Sequence, residues 1–462
     1  ILNKAGISKG VRVSVMLENS PLYFYVFLAL SRLEAVIIPI NTQYKSLGLR
    51  HILSDSKATA IIYDIRFKEQ TESALEVLDQ CTVQLISSDD ENDDLSIDKD
   101  ISPFGGPFNP KKSDDFLIYY SAGTLGPPKG AIYSNERLMN NINAVHDLIH
   151  LKRDDIILIG YPFYHYFTQV CGLANVLFSG AAMIPVDNKD IYKDLSEDIS
   201  SRCKIIIDTP DQFSAFLNDE ETRLPKGLHY CLTGGQAVEK SLPDEFKKRF
   251  NVPLYQSYGM VEAGPVISIN MNSQKEGSIG IAVHDTTLSI MKDGKLLRQG
   301  RYGNFAMPDT QLVERYCGRF RQDKRDIKEG WFYSPDVGYR DFDGYLYFLD
   351  REVNKIQLNG FDVFPEVVEN KLKSYENIKE AAVIGITGLD GQESIEAYLV
   401  LHHSDGVDKE ELFNWLKTKL PKYQIPQEIL LVNHLPKNIS GKVSRQTLRK
   451  NAVNRTTAKL EE

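Results

Sequence analysis

Residues 120–130 read YSAGTLGPPKG, and they follow Phe116 to Tyr120, an apolar run with the β-branched and aromatic character of a strand. Three glycines, two prolines, two hydroxyls and a lysine in eleven residues make a turn whose backbone N–H groups can point inward. Such a nest of donors cradles phosphate oxygens, and Lys129 can add a point charge. It is not a P-loop, because Gly130 follows Lys129 where that motif requires Ser or Thr. Taken alone, a glycine-rich turn after a strand is most often only a turn, so the rest of the chain must decide.

Around this turn, short β-branched runs alternate with helical stretches. Val11 to Leu17, Val36 to Ile40 and Thr59 to Tyr63 read as strands, separated by helical Tyr23 to Leu33 and Leu47 to Ser54. The alternation predicts βαβ units and parallel sheets covered by helices. Further strands are expected at Ile156 to Ile159, Lys204 to Ile207 and Tyr230 to Leu232, each ending near Gly, Pro, Ser or Thr as strand ends facing a site often do. Asp89 to Asp100 carries seven acids and one lysine and reads as a solvated loop. Beyond Leu346 to Leu349 the rhythm changes to a helix from Pro365, strands at Ala381 to Ile386 and Glu396 to Leu401, a helix at Glu411 to Leu420 and a strand at Glu428 to Val432. That pattern predicts a small α+β domain with its boundary near Asp350 to Asn354.

The chain has 462 residues, with 54 Lys and Arg against 63 Asp and Glu, for a net charge of −9. That balance argues against a broad nucleic-acid-binding surface. Five cysteines, an odd number with no CxxC pair, predict reduced thiols that hold no metal and a cytoplasmic setting. The most apolar stretch, Leu22 to Ile40, contains Arg32 and Glu34 and is too charged to span a membrane. The sequence opens at Ile1 with the helix-like ILNKAGI, and a preceding segment is expected.

Five further segments stand in order after the turn: YPFYHYFTQVCGL from Tyr161, LTGGQAV from Leu232, YQSYGMVEAG from Tyr255, GWFYSPDVGYRDFDGYLYFLDREVNKIQLNGFDVFPEVVE from Gly330, and LPKNISGKVSRQTLRK from Leu435. Together with YSAGTLGPPKG, and with GVRVSVMLENSPLYF near the start, they resemble the motifs of the adenylate-forming superfamily, which includes acyl-CoA synthetases, luciferases and peptide-synthetase adenylation domains. The resemblance implies an α/β fold, with a large N-terminal domain of stacked α/β subdomains over 1–350 and a small mobile C-terminal α+β lid over 351–462.

It also implies a chemistry. A carboxylate attacks the α-phosphate of ATP to give an acyl-adenylate and pyrophosphate, and a thiol then displaces AMP. Negative charge builds where two anions meet, and preorganised cations and N–H donors lower that barrier. By the resemblance, Ser121, Gly123, Thr124, Gly126 and Lys129 hold the β- and γ-phosphates, and Glu262 binds Mg2+. Gly234, Gly235 and Gln236 form a floor for adenine, Tyr258 and Gly259 belong to the same nucleotide site, Asp336 accepts the ribose hydroxyls, and Arg351 touches the ribose or phosphate side. Lys442 reaches between the carboxylate and the α-phosphate, and Asp350 and Val353 mark the hinge. A lysine in a basic tail is otherwise ordinary surface. His165 reads either as a core histidine among Tyr164, Tyr166 and Phe167 or, by the resemblance, as a gate to the carboxylate pocket. That pocket is expected to be lined by Tyr164, Tyr166, Phe167, Val170 and Gly235, and His402 and His403 are expected at the surface.

Peptide-synthetase domains carry an Asp near His165 for the substrate amino group, and Tyr161 to Val170 contains none. The implied reading is therefore an ATP-, Mg2+- and CoA-dependent acyl-CoA synthetase for a fatty or aryl carboxylate. The chain departs from the family pattern at Ala122, Leu125, Val261, Pro335, Val353 and Gln357. Each of Ala122, Leu125 and Val261 removes a hydrogen bond to an anion, worth roughly 1.5–3 kcal/mol. Two alternatives stay open: loading of a carrier protein, and a nucleotide-binding homologue with little turnover.

Overall fold

The computed structural model describes residues 2–78, 83–87, 111, 114–121, 128–186, 192, 195–236, 238–271, 275–313, 315–320, 327–358, 360–387, 393–403, 406–437 and 443–461. The acidic stretch at 89–100 lies outside them, as do Ala122, Gly123, Thr124, Leu125, Gly126 and Lys442. By chain contact the protein divides into two units, Ile1–Leu288 with Pro308–Gly330, and Ser289–Met307 with Trp331–Glu462.

The first unit is built on two large sheets. Its early strands are β1 (Arg12–Met16), β2 (Val36–Pro39), β3 (Ala60–Asp64), β4 (Val83–Ser87), β5 (Asp115–Tyr120) and β6 (Gly130–Ser134). They lie in the order β6-β5-β2-β1-β3-β4, with Arg315–Tyr316 and Arg319–Phe320 added beyond β6. β1 to β5 run parallel, and their residues are nearly all apolar because helices cover both faces of such a sheet. β6 reverses, pairing antiparallel with β5 so that the glycine-rich turn joins the two. The helix Pro21–Arg32 begins with proline in its first turn, and Ser20 caps it by accepting from the Tyr23 N–H at 3.3 Å. The apolar stretch that includes Arg32 and Glu34 thus folds as a helix followed by β2. The first residues, Leu2 to Gly6, form turns rather than the helix that their composition suggests, since the 3.1 Å bonds from Ala5 N to Leu2 O and from Gly6 N to Asn3 O close only single turns.

The second sheet holds β7 (Ile156–Ile159), β8 (Ala182–Pro185), β9 (Cys203–Ile207), β10 (Tyr230–Gly234), β11 (Leu254–Met260), β12 (Gly264–Asn270) and β13 (Ile281–Ala282). Their order is β8-β7-β9-β10-β11-β12-β13, parallel through β11 and antiparallel thereafter. The expected strands at 156–159, 204–207 and 230–232 all appear, and β9 and β10 each extend by a residue or two. A continuous core joins the two sheets through Val13, Ile37, Tyr119, Phe163, Phe167, Ile205 and Leu232.

The second unit combines antiparallel strand pairs and one parallel pair, Glu393–Leu401 with Glu428–Leu431, with helices. Trp331–Arg340 pairs antiparallel with Leu346–Arg351, setting Asp336 opposite Arg351. Helix Pro365–Lys373 and helix Lys409–Lys419 accompany a sheet in which Ile378–Thr387 pairs with Glu393–Leu401, which pairs in turn with Glu428–Leu431. The α/β architecture with a C-terminal α+β part is therefore the one the motifs implied. His402 and His403 are exposed, as expected.

A cluster of carboxylates sits where the helix Pro365–Lys373 begins. Asp350, 2 % exposed, accepts from the Arg351 N–H at 2.7 Å, the Asn354 side chain at 2.8 Å and the Glu366 N–H at 2.9 Å. Burial, reinforced by Asp350 and Glu369, pushes the Glu366 carboxyl from 4.5 up to about 8. Such a group binds its proton more tightly when folded. Its stabilising contribution is complete below the ordinary value of 4.5 and is lost as pH rises through about 8. Melting temperature is therefore expected to fall between about pH 5 and about pH 8, and Glu366→Gln, which cannot ionise, should flatten that fall. A pH series of thermal melts on both proteins checks this, and identical slopes would refute it.

Candidate active site

The neck of the glycine-rich turn is tightly closed. The Ser121 N–H donates to the Lys129 carbonyl at 3.0 Å, and the Lys129 N–H donates to Ser121 Oγ at 3.1 Å. These bonds continue the β5–β6 ladder past Tyr120 opposite Gly130, so both residues leave the sheet at its end. Lys129 is exposed and Gly130 is buried. A Cβ at Gly130 would come within 2.7 Å of the Tyr120 ring, which is the physical reason that a glycine follows the lysine. The Tyr120 hydroxyl donates to Asp55 at 2.9 Å.

At the end of β10 and on β11, three glycines allow backbones and rings to converge. A Cβ at Gly234 would overlap Ser257 Oγ at 2.2 Å, and one at Gly259 would overlap the Pro265 carbonyl at 2.1 Å. Gly235 has φ +69, and its Cβ would meet His165 Cε1 at 2.7 Å and the Tyr161 hydroxyl at 2.9 Å. That hydroxyl donates to the Gly234 carbonyl at 2.8 Å and also meets the Gln236 side chain. The structure therefore brings Gly234, Gly235, Gln236 and His165 together around Tyr161.

His165 precedes the short helix Tyr166–Thr168, and its Nδ1 accepts from the Phe167 N–H at 3.3 Å, so the neutral ring carries its proton on Nε2. The ring stacks on Tyr166 at 4.4 Å and lies 5.0 Å from Tyr161. Two expected pocket residues are not at a surface. Phe167 and Val170 are both 0 % exposed, because the helix turns them into the core between the sheets. Tyr164 and Tyr166 are half-buried, Gly235 is exposed, and burial pushes the Tyr164 hydroxyl up to about 12.

Tyr258 and Gly259 lie on β11, beside a bulge between Tyr258 and Met260. Glu262 sits half-buried in the turn that follows. Two long-range bonds fix that turn: the Tyr133 hydroxyl donates to the Val261 carbonyl at 2.8 Å, and the Val313 N–H donates to the Glu262 carbonyl at 2.8 Å. No local feature marked Tyr133 as part of the site, since its partner lies 128 residues away. The same holds for Asp208, buried at the end of β9, which accepts from the Tyr192 hydroxyl at 2.6 Å and the Thr209 N–H at 2.7 Å. Its carbonyl accepts from the Thr233 hydroxyl at 2.8 Å.

Within the second unit, Asp336 is 8 % exposed and Arg351 Nε stands 3.3 Å from its Oδ1. Ser334, which the sequence reading did not single out, accepts from the Asp336 N–H at 3.2 Å. Pro335 is exposed and lies one residue before the pairing with Leu346–Arg351 begins at Asp336. Of the two residues expected at the hinge, Asp350 is buried and triply bonded, whereas Val353 is 47 % exposed in a 3-10 turn.

Among the described residues no group of three or more His, Cys, Asp or Glu could hold a metal ion. A single carboxylate such as Glu262 still suits Mg2+, which keeps several waters and is held through one or two carboxylates and substrate phosphates. The described cysteines, Cys171, Cys203, Cys231 and Cys317, are free and buried, with burial pushing each thiol up.

Residues 1–317 match the model of the AMP-binding enzyme family, and 367–442 match that of the AMP-binding enzyme C-terminal domain. The chain belongs to this family, the adenylate-forming enzymes. It is 28% identical to a feruloyl-CoA synthase of an Amycolatopsis species, over 97% of this chain and 90% of that protein. It is 27% identical to a 2-succinylbenzoate–CoA ligase of a Geobacillus strain, over 97% and 89%. Among solved structures, ATP-bound MatB from Rhodopseudomonas palustris shares the fold with TM-score 0.88 at 22% identity, covering 98% of this chain and 91% of that one. The O-succinylbenzoate CoA synthetase of Bacillus subtilis, in complex with ATP and magnesium ion, does so with TM-score 0.81 at 23% identity, covering 97% and 91%.

Gly235→Ala places a methyl group against the His165 ring at a positive φ. The expected cost is roughly 1–3 kcal/mol of unfolding free energy. Denaturant titration measures it, and a change below about 0.5 kcal/mol would mean that the ring is not held against Gly235.

Proposed function

We propose that this protein is an AMP-forming acyl-CoA synthetase, which joins a fatty or aryl carboxylate to CoA through an acyl-adenylate. The observation that carries the reading is the His165 ring held against Gly235, in a segment without the acid that an amino-acid substrate needs, inside a chain that matches the family along nearly its whole length. The relatives named above are CoA ligases, which supports CoA as the acceptor.

In this reading Ser121 and Lys129 sit at the neck of the loop that meets the triphosphate. The fixed neck holds the Lys129 backbone, so its ammonium samples a small region near the phosphates. Asp336, already paired with Arg351, presents acceptor oxygens to ribose hydroxyls, while Arg351 faces the developing negative charge. The Tyr133 bond to the Val261 carbonyl holds Glu262 in place. Mg2+ bound there would neutralise phosphate charge during transfer. Gly123, Thr124 and Gly126 of the loop and Lys442 complete the assignment by resemblance, with Lys442 placed between carboxylate and α-phosphate. Residues 351–462 act as the lid, with Asp350 and Val353 at its hinge. Buried free thiols fit a reducing, cytoplasmic setting.

ATP–pyrophosphate exchange across a panel of carboxylates tests the reading, and it fails if no acid stimulates exchange above background. Product analysis with free CoA against a phosphopantetheine-bearing carrier protein separates the two acceptors. Lys442→Ala is expected to lower adenylate formation by at least about a hundredfold while leaving thioester formation from supplied acyl-adenylate within a few-fold. Equal loss of both would assign Lys442 a structural role.

A further inference from the structure

We propose that the acid site is closed behind His165 and Tyr166 by a hydrogen-bonded wall of tyrosines and a glutamine, so that this protein activates short or planar aryl acids and excludes long alkyl chains. The inference rests on the ligase reading and on the placement of the carboxylate pocket at His165 and Gly235.

The wall lies within the first unit. Tyr166 stacks on His165 at 4.4 Å, and behind it the Tyr119 ring stands edge-on at 5.8 Å, followed by Tyr133 at 5.4 Å from Tyr119. Tyr119 and Tyr133 are at most 2 % exposed. Gln169, 3 % exposed, opens the π-helical turn Gln169–Ala174, a form common at functional sites. Its Oε1 accepts from the Tyr119 hydroxyl at 2.7 Å, and its Nε2 donates to the Tyr23 hydroxyl at 2.8 Å and to the Phe163 carbonyl at 3.1 Å. The Tyr133 hydroxyl is spent on the Val261 carbonyl.

An alkyl chain running inward past Tyr166 must displace these rings. Displacement strands the Gln169 amide and two tyrosine hydroxyls among apolar groups, where nothing replaces their partners. An apolar wall could part by rotamer changes alone, whereas this one must also lose hydrogen bonds. A short acid stays on the near side of His165, and a flat ring can lie along the His165–Tyr166 stack. The hydrogen-bonded wall thus acts as a depth stop.

The test measures kcat/KM for pyrophosphate exchange by the whole protein with acetate, butyrate, benzoate, cinnamate, octanoate, dodecanoate and hexadecanoate. Benzoate, cinnamate or a short acid should exceed dodecanoate and hexadecanoate by at least about tenfold. Tyr166→Ala, which opens space beside His165, should narrow that ratio by raising the rates with dodecanoate and hexadecanoate. Gln169→Leu, which removes the polar stop, should narrow it too. If either variant misfolds, the wild-type series still decides. Wild-type rates with dodecanoate or hexadecanoate that match or exceed those with the aryl acids would overturn the depth stop while leaving the ligase intact. Silence with every acid would instead overturn the ligase reading, and this inference with it.

Discussion

The candidate site in the first unit depends on three places where no side chain is tolerated. At Gly234, Gly235 and Gly259, an added Cβ would overlap Ser257, the His165 ring and the Pro265 carbonyl. The consequence is geometric. β10 and β11 can approach their neighbours at backbone distance, so the His165 ring, just ahead of the short helix Tyr166–Thr168, comes to the end of β10. A larger residue at Gly234 or Gly259 would force apart elements that the core between the sheets holds together, and one at Gly235 would push the His165 ring aside. Positive φ at Gly235 adds a second reason for glycine there.

The second unit solves a different problem, which is to hold charge without solvent. Asp350, Glu366 and Glu369 are three acids in one region, and Arg445 grips Glu369 with two bonds of 2.8 Å. Glu369 also accepts from the Val383 N–H at 2.8 Å, so one carboxylate joins helix, strand and the start of the last helix. Breaking one partner of such an ion pair costs more than the pair itself contributes, because the survivor is left charged in a poorly solvated place. Asp336 and Arg351 repeat the arrangement across two strands. Their pairing holds the buried acid opposite the guanidinium of the neighbouring strand.

The fold was legible where periodicity and glycine placement carried it. β1 to β3 and their helices fall within a residue or two of the β-branched runs, since alternating apolar segments can bury themselves in few other ways. Glycines in motifs were legible for the same reason, as their positions already mark close approach. What could not be read were side chains whose work is done across the chain: Tyr133 on Val261, Tyr119 and Tyr23 on Gln169, and Tyr192 on Asp208. A tyrosine in an apolar strand looks the same whether or not its hydroxyl finds a distant carbonyl. Phe167 and Val170 are a different case. Proximity in sequence to His165 suggested a pocket, but the helix turns them into the core.

The departures from the family pattern take on a more specific meaning once Tyr133 is considered. By the resemblance, Val261 stands where a hydroxyl would meet an anion, and its side chain is buried, 7 % exposed, in the core between the sheets. The turn that carries Glu262 does not thereby loosen, because the Val261 carbonyl is held by Tyr133 and the Glu262 carbonyl by Val313. The substitution removes one donor without disturbing the frame around it. Its effect should therefore resemble a lost hydrogen bond, roughly 1.5–3 kcal/mol, rather than a collapsed site. Restoring the hydroxyl with Val261→Thr places a polar atom next to buried apolar groups, so any gain in binding an anion is offset in part by the cost of desolvating that hydroxyl. The residue is thus better understood as one side of a balance between packing and phosphate contact than as a simple loss of function.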